Sequence, residues 1–230
     1  MQEQTQAVLF DLDGTLVETH IDFPAMSAAM RAMADAAGVP VDVHQGLDIL
    51  GVVYASVAWI DANSSGGRLP PGTTANSAGH GADFQKAAFA ELEELEVHGC
   101  SWPEEIPHAA STLAEIRRRG LGIGIVTRNC RRVSQSLIDR FGLTCDILLT
   151  RDDVPRVKPD PDHLLRALAK LGVGASMSTM VGDHWMDIRA GVDAGCRSTV
   201  GVLHRRTRDF YAPCPPSHYA ESLADLLGWL

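Results

Sequence analysis

Lysine is nearly missing from this chain: among 230 residues only Lys86, Lys158 and Lys170 occur. Twenty Lys+Arg stand against 29 Asp+Glu, a formal net charge of −9. That is the wrong sign for a surface that follows a phosphate backbone, so nucleic acid is excluded as a partner. No apolar run approaches the ~20 residues that cross a bilayer, so no membrane is expected either. The N-terminal Met-Gln-Glu-Gln-Thr-Gln lacks a basic stretch followed by an apolar one, so no secretory signal is expected. Cysteine is sparse and odd in number. Cys100, Cys130, Cys145, Cys196 and Cys214 are scattered without a Cys-x-x-Cys pair, which points to reduced thiols in a cytoplasm and away from a disulfide framework or zinc site. The nine histidines are equally dispersed, with no His-Glu-x-x-His pattern, and solvated or packing roles are expected for most.

What is present describes a globular protein. Hydrophobic residues make up 45% and charged residues 21%, enough apolar content to bury a core in one domain plus an insertion. The run at 7–15, Ala-Val-Leu-Phe-Asp-Leu-Asp-Gly-Thr, reads as a buried strand that ends on two carboxylates. From residue 111 onward helices and short apolar strands alternate. Helices are expected at 111–119, 133–141, 161–171 and 187–194, and strands at 121–127, 146–150, 178–182 and 198–202. Residues 219–230 read as a closing helix. This alternation predicts right-handed βαβ units and a parallel sheet covered on both faces, an α/β, Rossmann-like, doubly wound core. Residues 17–108 do not follow it and read as a mostly helical insertion after the first strand. Within them, Met26, Met30, Met33 and Ala37 repeat at helical spacing before Gly38. Further helices are expected at 47–60 and 83–97, with a Gly/Ser/Pro-rich loop at 63–82. The domains expected are thus 1–16 with 109–230 as core and 17–108 as insertion.

In an open parallel sheet, function gathers at the carboxyl ends of the strands. Reading those ends yields Asp11 and Asp13, then Thr127-Arg128-Asn129, then Lys158-Pro159-Asp160, then Gly182-Asp183-His184-Trp185-Met186-Asp187. Several acids, one lysine and a hydroxyl followed by turn amides are aimed at one edge. Phosphoryl transfer suits such a set. Carboxylates alone would repel a phosphate, so a divalent cation must offset them, and hard oxygen ligands select Mg²⁺. Lys158 and the Thr127 hydroxyl can take the remaining oxygen charge. For His20, Phe23, His184 and Trp185, packing or loop roles are favoured over substrate contact.

Four pieces of this chain resemble the haloacid dehalogenase-like phosphohydrolases: Asp11-Leu-Asp13-Gly-Thr-Leu, Val126-Thr127, Lys158-Pro159-Asp160-Pro161 and Gly182-Asp183-x-x-x-Asp187. The resemblance is to the phosphoglycolate phosphatase-like branch, whose helical cap would be the 17–108 segment. It implies Asp11 as the nucleophile that forms an aspartyl-phosphate, and Asp13 as the acid and then the base. It also implies Mg²⁺ held by Asp11, the Asp13 backbone carbonyl and Asp183, with Asp187 bound directly or through water. Thr127 and Lys158 would bind the phosphoryl group, helped by the amides of Arg128 and Asn129. The expected activity is hydrolysis of a small phosphorylated metabolite, a phosphoglycolate-like compound or a sugar phosphate. A phosphosugar mutase shares the same core residues, and a non-catalytic binding protein on this fold is the remaining alternative. The only lysine in the cap segment, Lys86, sits late on a charged helix, which argues against Schiff-base chemistry. Oligomeric state is not specified by the sequence.

Overall fold

In the computed structural model, which describes residues 4–64 and 81–230, the opening apolar run forms β1 (Ala7–Phe10). After the Asp11–Gly14 turn come β2 (Val17–Glu18) and four helices: α1 (Phe23–Ala36), α2 (Val41–His44), α3 (Ile49–Ser64) and α4 (Gly81–Gly99). Then follow β3 (Glu104–Glu105), α5 (Ala109–Arg118), β4 (Gly122–Val126), α6 (Arg131–Phe141) and β5 (Ile147–Leu149). The chain closes with α7 (Asp162–Leu171), β6 (Ser178–Gly182), α8 (Trp185–Ala194), β7 (Ser198–Val202) and β8 (His218–Ala220). Two compact units emerge: Met1–His20 with Trp102–Leu230, and Ile21–Ser101.

The first unit is built on a six-stranded sheet in the order β5-β4-β1-β6-β7-β8, every pairing parallel. β1 therefore lies centrally, where the chain reverses direction across the sheet, the place where such folds bind ligands. Its four residues are all buried, as are those of β6. That accounts for the continuous apolar run of β1, while the buried hydroxyls of Ser178 and Thr179 at the start of β6 are met by the Ala175 carbonyl and Ser198. Register does the rest. Phe10 pairs with Ile125 on one side and Val181 on the other. The residues that follow each strand, Asp11, Thr127 and Asp183, therefore leave the sheet at nearly the same level.

The helical unit rests on apolar stripes. Met26, Met30 and Ala34 of α1 are buried, together with Leu50, Val52, Val53 and Ile60 of α3 and Ala88 and Leu92 of α4. Asp22 caps α1 by accepting from the Ala25 N–H at 2.8 Å, and Pro24 occupies the first turn, where a missing N–H costs nothing. Arg31 reaches from α1 to the carbonyls of His44 and Leu47, both at 2.6 Å, and so satisfies acceptors beyond α2.

Two expectations need correction. Residues 219–230 do not form a helix. They give the end of β8, paired with β7, and a 3-10 turn at Leu223–Gly228. The buried leucines there, Leu223 and Leu226, are three apart, the 3-10 repeat, and Ser222 and Asp225 form a capping box at the turn's start. The 17–108 segment is also not helical at its ends, because β2 and β3 pair antiparallel (Val17↔Glu105, Glu18↔Glu104). Bridges of two residues are too short to leave a periodic signal. The loop expected at 63–82 falls largely outside the described residues, and its ends belong to α3 and α4.

Close helix–sheet packing positions the site's last acid. At Gly191 of α8 a Cβ would come within 2.7 Å of Thr199 Cγ2 and 2.9 Å of Met180 Cβ, so only glycine lets α8 lie this close to β6 and β7. Gly191→Ala should lower stability by about 1–3 kcal/mol in urea unfolding through overpacking. A variant as stable as wild type would contradict this packing.

Candidate active site

Of the residues singled out by strand-end reading, Asp11, Thr127, Asn129, Lys158, Asp183 and Asp187 are buried at the carboxyl edge of the central strands, and Arg128, Asp160, His184 and Trp185 are half-buried. Lys158 is the hub. Its Nζ donates to Asp11 Oδ1 at 2.6 Å and lies 2.7 Å from Asp187 Oδ1. The lysine side chain is 1% exposed, so its charge is matched by protein rather than by water. Burial alone would lower its pKa, but the charges of Asp11 and Asp187 prevail and raise it. Burial, reinforced by the Asp187 charge, lifts Asp11 above the usual carboxylate range even though Lys158 opposes the shift.

Asp183 completes a group of three carboxylates. Oxygens of Asp11, Asp183 and Asp187 all lie within 4.8 Å of one another. Burial first, then the charges of Asp11 and Asp187, push Asp183 up to about 8. Glycine makes this crowding possible. Gly14 has φ +82°, which L side chains avoid, and a Cβ on it would meet Asp183 Oδ2 at 2.5 Å. At Gly182 a Cβ would strike the Asp187 carboxylate. The site thus has room for charge and none for bulk. A buried cluster of hard oxygens in which Asp11 and Asp183 are both pushed up fits a small divalent cation such as Mg²⁺.

Asp187 does double duty: Oδ1 faces Lys158 while Oδ2 accepts from the His184 N–H at 3.0 Å, closing a capping box on α8. His184 is the cap itself, its Nδ1 accepting from Met186 N at 3.2 Å. Asp13 stands apart from the triad. Its Oδ1 accepts from Thr19 N at 3.2 Å and Thr19 Oγ1 at 2.7 Å, and Arg205 lies 3.6 Å away. Burial raises Asp13 to about 6, against those opposing contacts.

Thr127 Oγ1 accepts from the Asn129 N–H at 3.2 Å, so its own O–H remains to donate. The Asn129 Nδ2 donor is buried with no partner among the described residues, as an amide awaiting an anion would be. The Arg128 side chain turns elsewhere, its Nη1 lying 2.6 Å from the Met186 sulfur. His20 and Phe23 are exposed.

A family model of haloacid dehalogenase-like hydrolases matches residues 5–195. The chain belongs to this family. An N-acetylmuramic acid 6-phosphate phosphatase of Pseudomonas aeruginosa is 31% identical, over 86% of this chain and 84% of its own length. A phosphoglycolate phosphatase of Shigella boydii is 28% identical, over 88% and 82%. Among solved structures, a HAD phosphatase from Thermococcus onnurineus shares the fold, with TM-score 0.60 over 98% of this chain and 97% of that one at 24% identity. The chain stands among phosphatases of the family.

Four residues around this haloacid dehalogenase-like site escaped the strand-end reading. Thr19 binds Asp13, Arg205 approaches the same oxygen, and Arg206 Nε lies 3.3 Å from Asp183 Oδ2 with its guanidinium 4.4 Å above the Phe210 ring. The two arginines follow β7, a strand end that the reading above passed over; applied there, the same rule would have found them. His163 sits behind Lys158, its Nδ1 accepting from the Lys158 N–H at 3.4 Å. No spacing in the sequence announces it.

His163 also carries a stability consequence. Burial, then repulsion from Lys158, lowers its pKa to about 3, whereas an unfolded histidine titrates near 6.5. Between those values the unfolded chain takes up a proton that the folded ring refuses, so stability is lost as pH falls from about 6.5 toward 3. Urea midpoints measured between about pH 7 and pH 4 should fall less steeply for His163→Gln than for wild type. Equal slopes would contradict the buried neutral ring.

Proposed function

We propose that this phosphatase is Mg²⁺-dependent and hydrolyses a small phosphorylated metabolite through a phosphoryl group carried on Asp11. The observation that supports it most is the division of labour between the two acids of the opening turn. Asp11 is tied to Lys158 at 2.6 Å, inside the carboxylate triad, whereas Asp13 is turned onto Thr19 and Arg205. This difference supports a reading in which one acid meets phosphorus and the other moves protons.

In this reading Asp11, Asp183 and the Asp13 backbone carbonyl would hold the cation. Asp187, whose oxygens already face Lys158 and His184, serves at one remove. The cation supplies the charge that lets an anionic carboxylate approach an anionic phosphoryl group. An Asp11 oxygen attacks phosphorus and forms the aspartyl-phosphate as the ester oxygen departs. Asp13 gives that oxygen a proton. Asp13 then takes a proton from water as the water attacks the same phosphorus, which frees phosphate and restores Asp11. Lys158, the Thr127 hydroxyl, the amides of Arg128 and Asn129 and the Asn129 side-chain amide share the charge on the non-bridging oxygens.

The named substrates of the relatives, a phosphorylated two-carbon acid and a phosphorylated amino-sugar acid, support a phosphoglycolate-like compound or a sugar phosphate. The helical unit at Ile21–Ser101 takes the part of the family's cap in this reading. The scattered cysteines, with no Cys-x-x-Cys pair, support a cytoplasmic location.

Asp11→Asn should abolish phosphate release from 4-nitrophenyl phosphate while the circular dichroism spectrum stays that of wild type. Turnover at the wild-type rate in that variant would remove Asp11 from its role. Chelation with EDTA should silence the wild-type enzyme and added Mg²⁺ should restore it; full activity in chelator would end the metal assignment. A panel of phosphorylated metabolites, scored for free phosphate and for isomerised hexose phosphate, separates hydrolysis from mutase chemistry.

A further inference from the structure

We propose that Arg205 is a positioning residue for Asp13, fixing which oxygen of that carboxylate carries the proton. The inference rests on the reading of Asp13 as the proton-transfer acid. Two donors and one cation converge on a single atom, Asp13 Oδ1: Thr19 N donates at 3.2 Å and Thr19 Oγ1 at 2.7 Å, and the Arg205 guanidinium forms an ion pair at 3.6 Å. Among the described residues no hydrogen bond or ion pair falls on Oδ2. An oxygen crowded by donors is a poor place for a proton, so the proton resides on Oδ2, the oxygen left open.

Arg205 does this from a braced position. Its Nε donates to Glu18 Oε2, and its Nη2 donates to the Thr19 carbonyl at 3.4 Å. One guanidinium therefore holds both residues that lead out of the Asp13 turn as well as Asp13 itself. Glu18 Oε2 is also met by His204 Nε2 at 3.4 Å, so the carboxylate that aims Arg205 is itself held. The loop bearing Arg205 is anchored at each end. Leu203 N donates to the Ala220 carbonyl at 2.9 Å, and the buried Tyr211 hydroxyl donates to the Val202 carbonyl at 2.8 Å. A fork-shaped cation on a pinned loop can hold a carboxylate in one orientation, which a flexible ammonium does less well. Arg206, the next residue, points to Asp183 instead, so consecutive arginines serve two different acids.

The role has a signature that plain structural support lacks. An acid that must protonate the leaving oxygen matters more when that oxygen is basic. Wild type, R205A, R205K and E18Q are compared by kcat/KM, with Mg²⁺, on phenyl phosphate and on 4-nitrophenyl phosphate, whose leaving group needs less protonation. R205A should lose at least about fivefold more on phenyl phosphate than on 4-nitrophenyl phosphate. R205K, which keeps the charge but not the fork, should fall between R205A and wild type, and E18Q should shift in the same direction. Equal losses on both esters, or no loss, would overturn the proposal. Should R205A fail to fold, R205K and E18Q carry the same comparison and the same two outcomes. A wild-type enzyme that releases phosphate from neither ester would overturn the proposed function itself. An active wild type with equal losses in the variants overturns only the role of Arg205.

Discussion

The site depends on one buried ammonium. Lys158 lies 2.6 Å from Asp11 and 2.7 Å from Asp187, and without it two carboxylates at the centre of the sheet edge would face each other with no counter-charge. Deleting one partner of a buried pair costs about 3–5 kcal/mol, because the charge left behind can neither reach water nor find a substitute. The remaining acids are only partly compensated: Asp183 is pushed up to about 8 and Asp13 to about 6 by burial. This is stored electrostatic cost, and it is lowered by ligands of the right sign. A divalent cation would relieve the triad, and an anionic group would meet Lys158 and the Asn129 amide, which has no partner among the described residues.

The fold supplies that cost by geometry that side-chain chemistry alone could not provide. Parallel register brings the ends of β1, β4 and β6 level, so acids far apart in sequence arrive together. Gly14, Gly182 and Gly191 remove side chains at the points where carboxylates or helix α8 must come close. Capping then does a second service. The acid that closes the box at the start of α8 is also a partner of Lys158, so forming the helix and orienting the site are one event.

Much of this was legible in the sequence. The strands at 178–182 and 198–202 coincide with β6 and β7, because a short apolar run between glycines or polar turns leaves little else to form. One rule, that ligands gather at strand ends, singled out Asp11, Thr127, Lys158, Asp183 and Asp187, and the structure brings Asp11, Lys158, Asp183 and Asp187 into one cluster. What stayed hidden has physical reasons. β2 and β3 are too short to show a period, and β8 was obscured by apolar residues whose three-residue spacing belongs to the 3-10 turn that follows. Thr19 and His163 act on residues six and five positions away through turns that leave no regular spacing, and Arg205 acts across the chain, where its value depends on what tertiary structure places opposite it. Arg205 and Asp13 are far apart in sequence and meet only because β7 and β1 share a sheet.

The central claim is that the phosphoryl group passes through Asp11 before reaching water. Acid quenching of the enzyme during turnover of 4-nitrophenyl phosphate, followed by peptide mass analysis, tests it most directly. One added phosphoryl group is expected on the peptide that contains Asp11, absent when substrate is omitted. Free phosphate produced with no phosphoryl group on any residue, or with one on a residue other than Asp11, would contradict it.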